Sequence, residues 1–178
     1  MPRDFSSVYD DEVWSVYGFF AYRVPSVADA EELTQRTFER ALRAWERFDP
    51  ERAPVRAWLL AIARNLLIDH YRADVWGRQQ AIEEVPEGEL GSELPEPDLG
   101  IEPELARALA DLVPRDREIL ALRFGGDLTG PEIAKLTGLS LANVQQILSR
   151  SLRRLRARLE GGEMDPRADG VQEHHVGR

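Results

Sequence analysis

Apolar positions in this chain recur at spacings of three and four residues and nowhere alternate, so every periodic segment predicts a helix and the fold class is all-α. The first such segment runs from about Ser6 to Arg23, with Tyr9, Val13, Val16 and Phe20 facing inward, and Pro25 breaks it. Ser26 followed by Asp29 reads as a capping box that opens a long helix to about Phe48. Its apolar side holds Leu33, Thr37, Phe38, Ala41, Leu42, Trp45 and Phe48, and on its charged side Glu32 with Arg36 and Glu39 with Arg43 stand at i,i+4 in the favourable order. A loop from Asp49 to Pro54 leads to a third helix, Val55 to about Trp76. Between Trp58 and Ile68 it is apolar almost all round, which predicts the centre of a bundle. One stripe of it is mixed: Trp58, Ile62, Asn65, Asp69, Arg72 and Trp76 share a face. Asn65 there is either an internal tether or a group reaching outward to a base or phosphate.

The segment Thr129 to Arg158 reads as two capped helices joined by a short turn. Thr129 with Glu132 forms a capping box and Pro131 sits in the first turn, where no amide is missed. The first helix ends near Leu136, Thr137, Gly138 and Leu139 make the turn, and Ser140 caps the second helix. On that helix Val144, Leu148, Leu152, Leu155 and Leu159 form an apolar face, while Ala142, Asn143, Gln146, Ser149, Arg150 and Arg153 point away and no acid appears before Glu160. The arginines alone describe a solvated amphipathic helix. Turn spacing, paired caps and an acid-free outer face together describe a helix-turn-helix that meets DNA.

The net charge of −9 looks wrong for a DNA binder until it is placed along the chain. Residues 1 to 78 sum to −2, residues 79 to 104 to −9, residues 105 to 160 to +4, and the tail to −2. The stretch 79 to 104 has no basic residue, four prolines and little apolar content, so it reads as an acidic flexible linker. Two small helical domains follow, one over residues 5–76 and a helix-turn-helix domain over 103–160, with the linker at 77–102. The tail 161–178 reads as disordered, and His174 and His175 within it as incidental. There is no cysteine, which excludes disulfides and thiolate metal sites and suits a reducing cytoplasm. The longest apolar run, Ala57 to Ile68, is too short to span a bilayer, so no membrane insertion is expected.

The order DAEELTQRTFERALRAWERFDP, then RAWLLAIARNLLIDHYR, then an acidic stretch, then LVPRDREILALRFGGDLTGPEIAKLTGLS resembles the extracytoplasmic-function (ECF) group of bacterial sigma factors over about 150 residues. The resemblance implies a two-domain transcription initiation factor: region 2 binding core RNA polymerase and the minus-ten element, and region 4 binding the minus-thirty-five element. It places Asp29, Glu32, Leu33, Gln35 and Phe38 where such factors dock on the clamp helices of the polymerase β′ subunit. Trp58, Arg64, Asn65, Asp69, His70 and Arg72, with the loop from Asp49 to Val55, match the segment that captures the unpaired minus-ten strand, a task suited to stacking, amide hydrogen bonds and a few cations. Ser140, Asn143, Gln145, Gln146, Ser149, Arg150 and Arg153 would read the minus-thirty-five duplex. The polymerase β flap and an anti-sigma factor are further implied partners. Two departures stand out: Ala53, Pro54 and Val55 replace a Gly-Ser-Phe-like loop, and Gln145 and Ile147 stand where basic residues are usual.

A stand-alone helix-turn-helix regulator would account equally for residues 103–160 but leaves the N-terminal segments unused. A purely structural helical adaptor would make both DNA faces accidental. No paired carboxylates with a nucleophile, no phosphate-cradling glycine loop and no metal-ligand cluster appears, so neither catalysis nor a metal or other cofactor is expected. The glycine pairs at 125 and 161 read as helix C-caps.

Overall fold

The computed structural model of the chain describes the backbone of residues 4–82 and 102–160, and the side chains of all of these except 74–82. Every described regular element is helical. The N-terminal region is built from α1 (Phe5–Ala21), α2 (Val27–Ala44) and α3 (Val55–Ile82), and the C-terminal region from α4 (Pro103–Ala110), α5 (Pro114–Leu120), α6 (Gly130–Thr137) and α7 (Leu141–Leu159). A 3₁₀ turn over Trp45–Arg47 follows α2, and a π turn over Ala121–Gly125 follows α5. The acidic segment from residue 83 to 101 and the tail with His174 and His175 lie outside the described residues.

The helix starts are set by the residues the sequence marks. The Ser26 hydroxyl oxygen accepts the Asp29 amide at 3.3 Å, and Ser140 does the same for Asn143 at 3.2 Å. Glu132 reaches back to accept from the amide and hydroxyl of Thr129, at 2.8 and 2.6 Å. α6 stops where Gly138 takes φ 75°. α2 stops short of Phe48, because its last turn tightens where Trp45 stacks on Phe48 at 5.2 Å and Trp58 closes on both. The backbone of α3 continues past Trp76 to Ile82; Pro86 is the first proline in its path.

Several inward faces differ from the sequence pattern. On α1 the buried residues are Val8, Glu12, Val16, Phe19, Phe20 and Ala21, and Tyr9 is exposed. The pattern missed this because Glu12, an acid, is drawn inward by the Arg56 guanidinium at 2.6 Å. Leu42 on α2 is 57% exposed, and Ile68 on α3 is exposed while Trp58 and Ile62 are only half-buried, so α3 keeps one open side. On α7 the buried line is Val144, Ile147, Ser151 and Leu155, while Leu152 and Leu159 are exposed. Ile147 is therefore a core residue and leaves no gap in the outer face.

The two regions share one core. Val8, Phe19, Leu60 and Leu66 from the first belong to the same buried cluster as Ile119, Leu122, Leu128 and Ile133 from the second. A smaller cluster of Ala108, Leu109, Leu112, Leu120 and Leu155 closes α4 onto α5 and α7. At the centre of the junction α1 meets the π turn backbone to backbone: a Cβ added at Gly18 would stand 2.6 Å from the Gly125 carbonyl oxygen, and one at Gly125 would collide with the Gly18 carbonyl. Gly125 is thus required by close approach and does not act as a C-cap, and the cap position, Gly126, has φ −85°.

Gly138 gives a clean test of the turn. A Cβ there would meet nothing within 4 Å, so Gly138→Ala should cost only the left-handed backbone penalty, about 1–2 kcal/mol, read as a lower urea midpoint. Gly138→Asn should recover part of that loss.

Candidate nucleic-acid interfaces and docking face

Helix α7 projects Gln145, Gln146, Ser149, Arg150 and Arg153 into solvent, with Asn143 half-exposed and Ser140 at the cap. The face is therefore open, donor-rich and mounted on a helix that the core holds by its other side. Glutamine and asparagine amides suit paired contacts to adenine in a major groove. Arg150 has a second duty: its guanidinium holds both oxygens of Asp116, at 3.0 and 3.2 Å, and the Asp116 side chain is only 2% exposed. Arg153 is exposed and turned outward.

Helix α3 divides the residues that the sequence grouped together. Asn65, Asp69 and Arg72 are exposed on one side, which resolves Asn65 as an outward group. Asp69 lies 3.7 Å from Arg40, and His70 is half-buried against Tyr71. Trp58 sits in the ring cluster with Trp45 and Phe48 at 6.0 and 4.8 Å, at the base of the Asp49 to Pro54 loop. Arg64 turns the other way and pairs with Glu118 of α5 at 2.6 Å. It is not on the Asn65 face, because one residue along a helix rotates the side chain by about 100°.

The docking set also divides. Leu33 and Phe38 are buried and support α2 from beneath, with Phe38 also in the lining of the groove described next. Glu32 and Gln35 are exposed and Asp29 is half-exposed; Glu32 pairs with Arg36 at 3.4 Å, and Gln35 donates to Glu39 at 3.1 Å. Beside them a groove of about 830 Å³ opens between α1 and α2. Tyr9, Trp14 and Leu42 line it, 44%, 76% and 57% exposed, together with Gln35 and Glu39. Sequence reasoning assigned Tyr9 and Leu42 to the core and did not pick out Trp14; the signal was an aromatic pair, Trp14 and Tyr17, at i,i+3 outside the inward stripe.

A second set of polar groups joins the two regions, and no motif marks it. Arg56 donates to Glu12 and to Asp127, each at 2.6 Å, and the bond to Glu12 is the main reason its pKa is raised. Lys135 of α6 donates to the Arg52 carbonyl at 3.0 Å, and Arg23 to the Pro114 carbonyl at 2.6 Å. Burial lowers the Arg23 pKa, and the phenolic group of Tyr71 and the carboxylate of Glu118 oppose that shift; the guanidinium also lies 5.8 Å from the Tyr71 ring centre. No described helix is long and apolar enough to cross a membrane.

The Arg150 pairing makes a separable prediction. Arg150→Ala strands the buried Asp116 carboxylate and should destabilise the chain by about 1–3 kcal/mol, discounted because Arg150 is half-exposed. Arg153→Ala should leave the unfolding midpoint within about 0.5 kcal/mol of wild type. Adding Asp116→Asn to Arg150→Ala should restore part of the loss in thermal or urea unfolding.

Residues 9–77 match the Sigma-70 region 2 family and residues 108–157 the Sigma-70 region 4 family. The chain is 34% identical over 155 residues to the ECF RNA polymerase sigma factor BldN of Streptomyces coelicolor, with 85% of this chain and 58% of BldN covered. It is 30% identical over 160 residues to the ECF RNA polymerase sigma factor RpoE of Cereibacter sphaeroides, covering 85% of this chain and 84% of that protein. Its fold is also that of the sigma factor RpoE from Bartonella quintana, solved in complex with the anti-sigma factor NepR, at a TM-score of 0.70, 20% identity, and coverage of 89% and 98% of the two chains. Two family segments in order, on two helical regions that each carry an exposed polar face, establish that the chain belongs to the ECF group of sigma-70 family sigma factors.

Proposed function

We propose that this chain supplies promoter recognition to core RNA polymerase, with α7 reading the minus-thirty-five duplex and α3 capturing the minus-ten strand. The single observation that carries this reading is the pair of open polar faces, Gln145, Gln146, Ser149 and Arg153 on α7 and Asn65, Asp69 and Arg72 on α3, one on each family segment. Residues 5–76 act as region 2, 103–160 as region 4, and 77–102 as the acidic connection between them. Ser140, Asn143 and Arg150 complete the α7 face, and Trp58, Arg64 and His70 support the α3 face from its flanks. The chain works in the cytoplasm, where its polymerase is.

The polymerase contacts follow from the same geometry. Asp29, Glu32 and Gln35 present the polar edge of α2 to the β′ clamp helices, while Leu33 and Phe38 hold that helix in place from the core. Region 4 faces the β flap. An anti-sigma factor is a further candidate partner, since the NepR complex has a sigma factor of this fold as its other member. The acidic connection would suit a basic channel on polymerase.

Two outcomes test the proposal. Asp29→Lys with Glu32→Lys should weaken binding to core polymerase without changing helix content. Equal competition for core by this double variant and wild type would remove α2 as the docking element. The free chain should bind promoter duplex weakly and with steep salt dependence, since residues 105–160 sum to only +4 and each neutralised phosphate contributes about −0.9 to the slope of log affinity against log salt. Assembled with core, it should bind specifically and open the promoter. Nanomolar, sequence-specific duplex binding by the isolated chain at physiological salt would favour the stand-alone regulator instead.

A further inference from the structure

Asp116 stands in the first turn of α5, outside the helix that would enter the groove, and its side chain is only 2% exposed. Its own position is fixed. Pro114 opens α5, and the Arg117 guanidinium donates to the carbonyls of Ala110 and Leu112 at 2.6 and 3.2 Å, which ties α5 to the turn before it. Ile119 and Leu120 anchor the same helix in the core. From α7 the Arg150 guanidinium reaches this carboxylate through one nitrogen, Nη2, at 3.2 Å from Oδ1 and 3.0 Å from Oδ2. The N–H groups of Nη1 and Nε remain as donors, and 46% of the Arg150 side chain stays open.

That arrangement changes what Arg150 can recognise. An arginine on a helix surface samples many rotamers and loses that freedom when it binds, whereas a guanidinium held by a buried carboxylate has lost it on folding. The carboxylate also cancels most of the guanidinium charge. A phosphate is attracted by net positive charge and gains little from such a pair. A neutral edge with two acceptors in one plane still finds a planar set of N–H donors, and in a major groove that edge is the N7 and O6 side of guanine. Asn143, Gln146 and Arg150 fall within about 60° of arc on α7 and span about 10 Å along its axis, close to the width of a major groove of about 12 Å.

We propose that Asp116 is a specificity-determining positioning residue for the minus-thirty-five element: it holds the Arg150 guanidinium in one orientation and makes it a reader of guanine, while Arg153, exposed and turned outward, serves the phosphate backbone. The proposal rests on the sigma-factor reading above and deepens it. A buried acid outside the recognition helix then decides what that helix reads. A pair that only stapled α5 to α7 would change stability and leave base preference alone, so the test reads base preference.

Holoenzyme assembled from core RNA polymerase and the full-length chain is used to select promoters from a pool randomised across the minus-thirty-five element. The wild-type chain should prefer guanine at one position by roughly 5- to 150-fold, the discrimination of one paired guanine contact, and 7-deazaguanine there, which lacks N7, should forfeit most of it. Asp116→Asn keeps the shape and removes the charge. It should cut the guanine preference several-fold and steepen the salt dependence of promoter binding by about 0.9 in the log–log slope, because Arg150 is released to a phosphate. Arg153→Ala should instead weaken binding at every sequence and make that slope shallower by a similar amount. A second measurement needs no variant: nitrogen-15 relaxation at Nε in the free full-length chain should show Arg150 far more ordered than Arg153. A folded Asp116→Asn chain that keeps the wild-type guanine preference overturns the positioning role, and so does a wild-type selection with no guanine-preferring position. An Arg150 Nε as mobile as that of Arg153 overturns it too, whether or not the variant folds. A wild-type chain that forms no holoenzyme strikes the sigma-factor reading, while the relaxation measurement still decides whether Asp116 restrains Arg150.

Discussion

The approach of α1 to the π turn sets the rest of the arrangement. Two backbones meet there with no side chain between them, which only glycine at both 18 and 125 permits. The extra residue per turn in Ala121–Gly125 swings the chain so that the Gly126 amide reaches the Ala121 carbonyl at 2.8 Å and the Leu128 amide reaches Leu122 at 3.0 Å. Leu128 then drops into the shared core, and Asp127, held at φ 52°, is left facing Arg56. A tilt of α1 away from this contact would draw Glu12 from Arg56, the residue that Asp127 also holds.

That fit also orders the charges. Acids on the C-terminal region would weaken a DNA-binding domain if they lay on its outer face, but Asp116, Glu118 and Asp127 all turn toward arginines: Asp116 to Arg150 within the region, the other two across the junction. The outer side of α7 is left without an acid from Leu141 to Leu159. The N-terminal region follows the same logic with Glu12, whose 9% exposed side chain would be costly without Arg56 at 2.6 Å. The acids nearest the α7 face are in this way paired with arginines, and the stretch from residue 79 to 104 carries −9 of the charge.

The helices, their starts and the class of fold were legible in the sequence because capping and periodicity are local. Ser26, Thr129, Gly138 and Ser140 act within a few residues of themselves, and the structure places each as the pattern predicts. The faces were less legible. Tyr9, Leu42, Leu152 and Leu159 read as core by spacing and are exposed, while Glu12, Ile147 and Ser151 are buried. Those inversions share a cause: a helix that packs against two neighbours turns its buried arc toward a direction that its own period does not encode. Arg64 shows the limit most plainly, since only the fold reveals Glu118, 54 positions away in sequence, as its partner. The family motifs could be recognised without this knowledge, but the contacts between the regions could not.

The same long-range pairing bears on how cations are counted. Arg56 and Arg64 carry charge that composition would assign to DNA, yet in the packed chain each already faces a carboxylate at 2.6 Å. A phosphate reaching either one must displace that carboxylate, so the exchange yields little net attraction and few released counterions. Salt does not rescue it, because screening weakens the carboxylate and the phosphate together, and Asp127 is mostly exposed. The packed chain therefore has a smaller effective charge toward DNA than its arginines suggest.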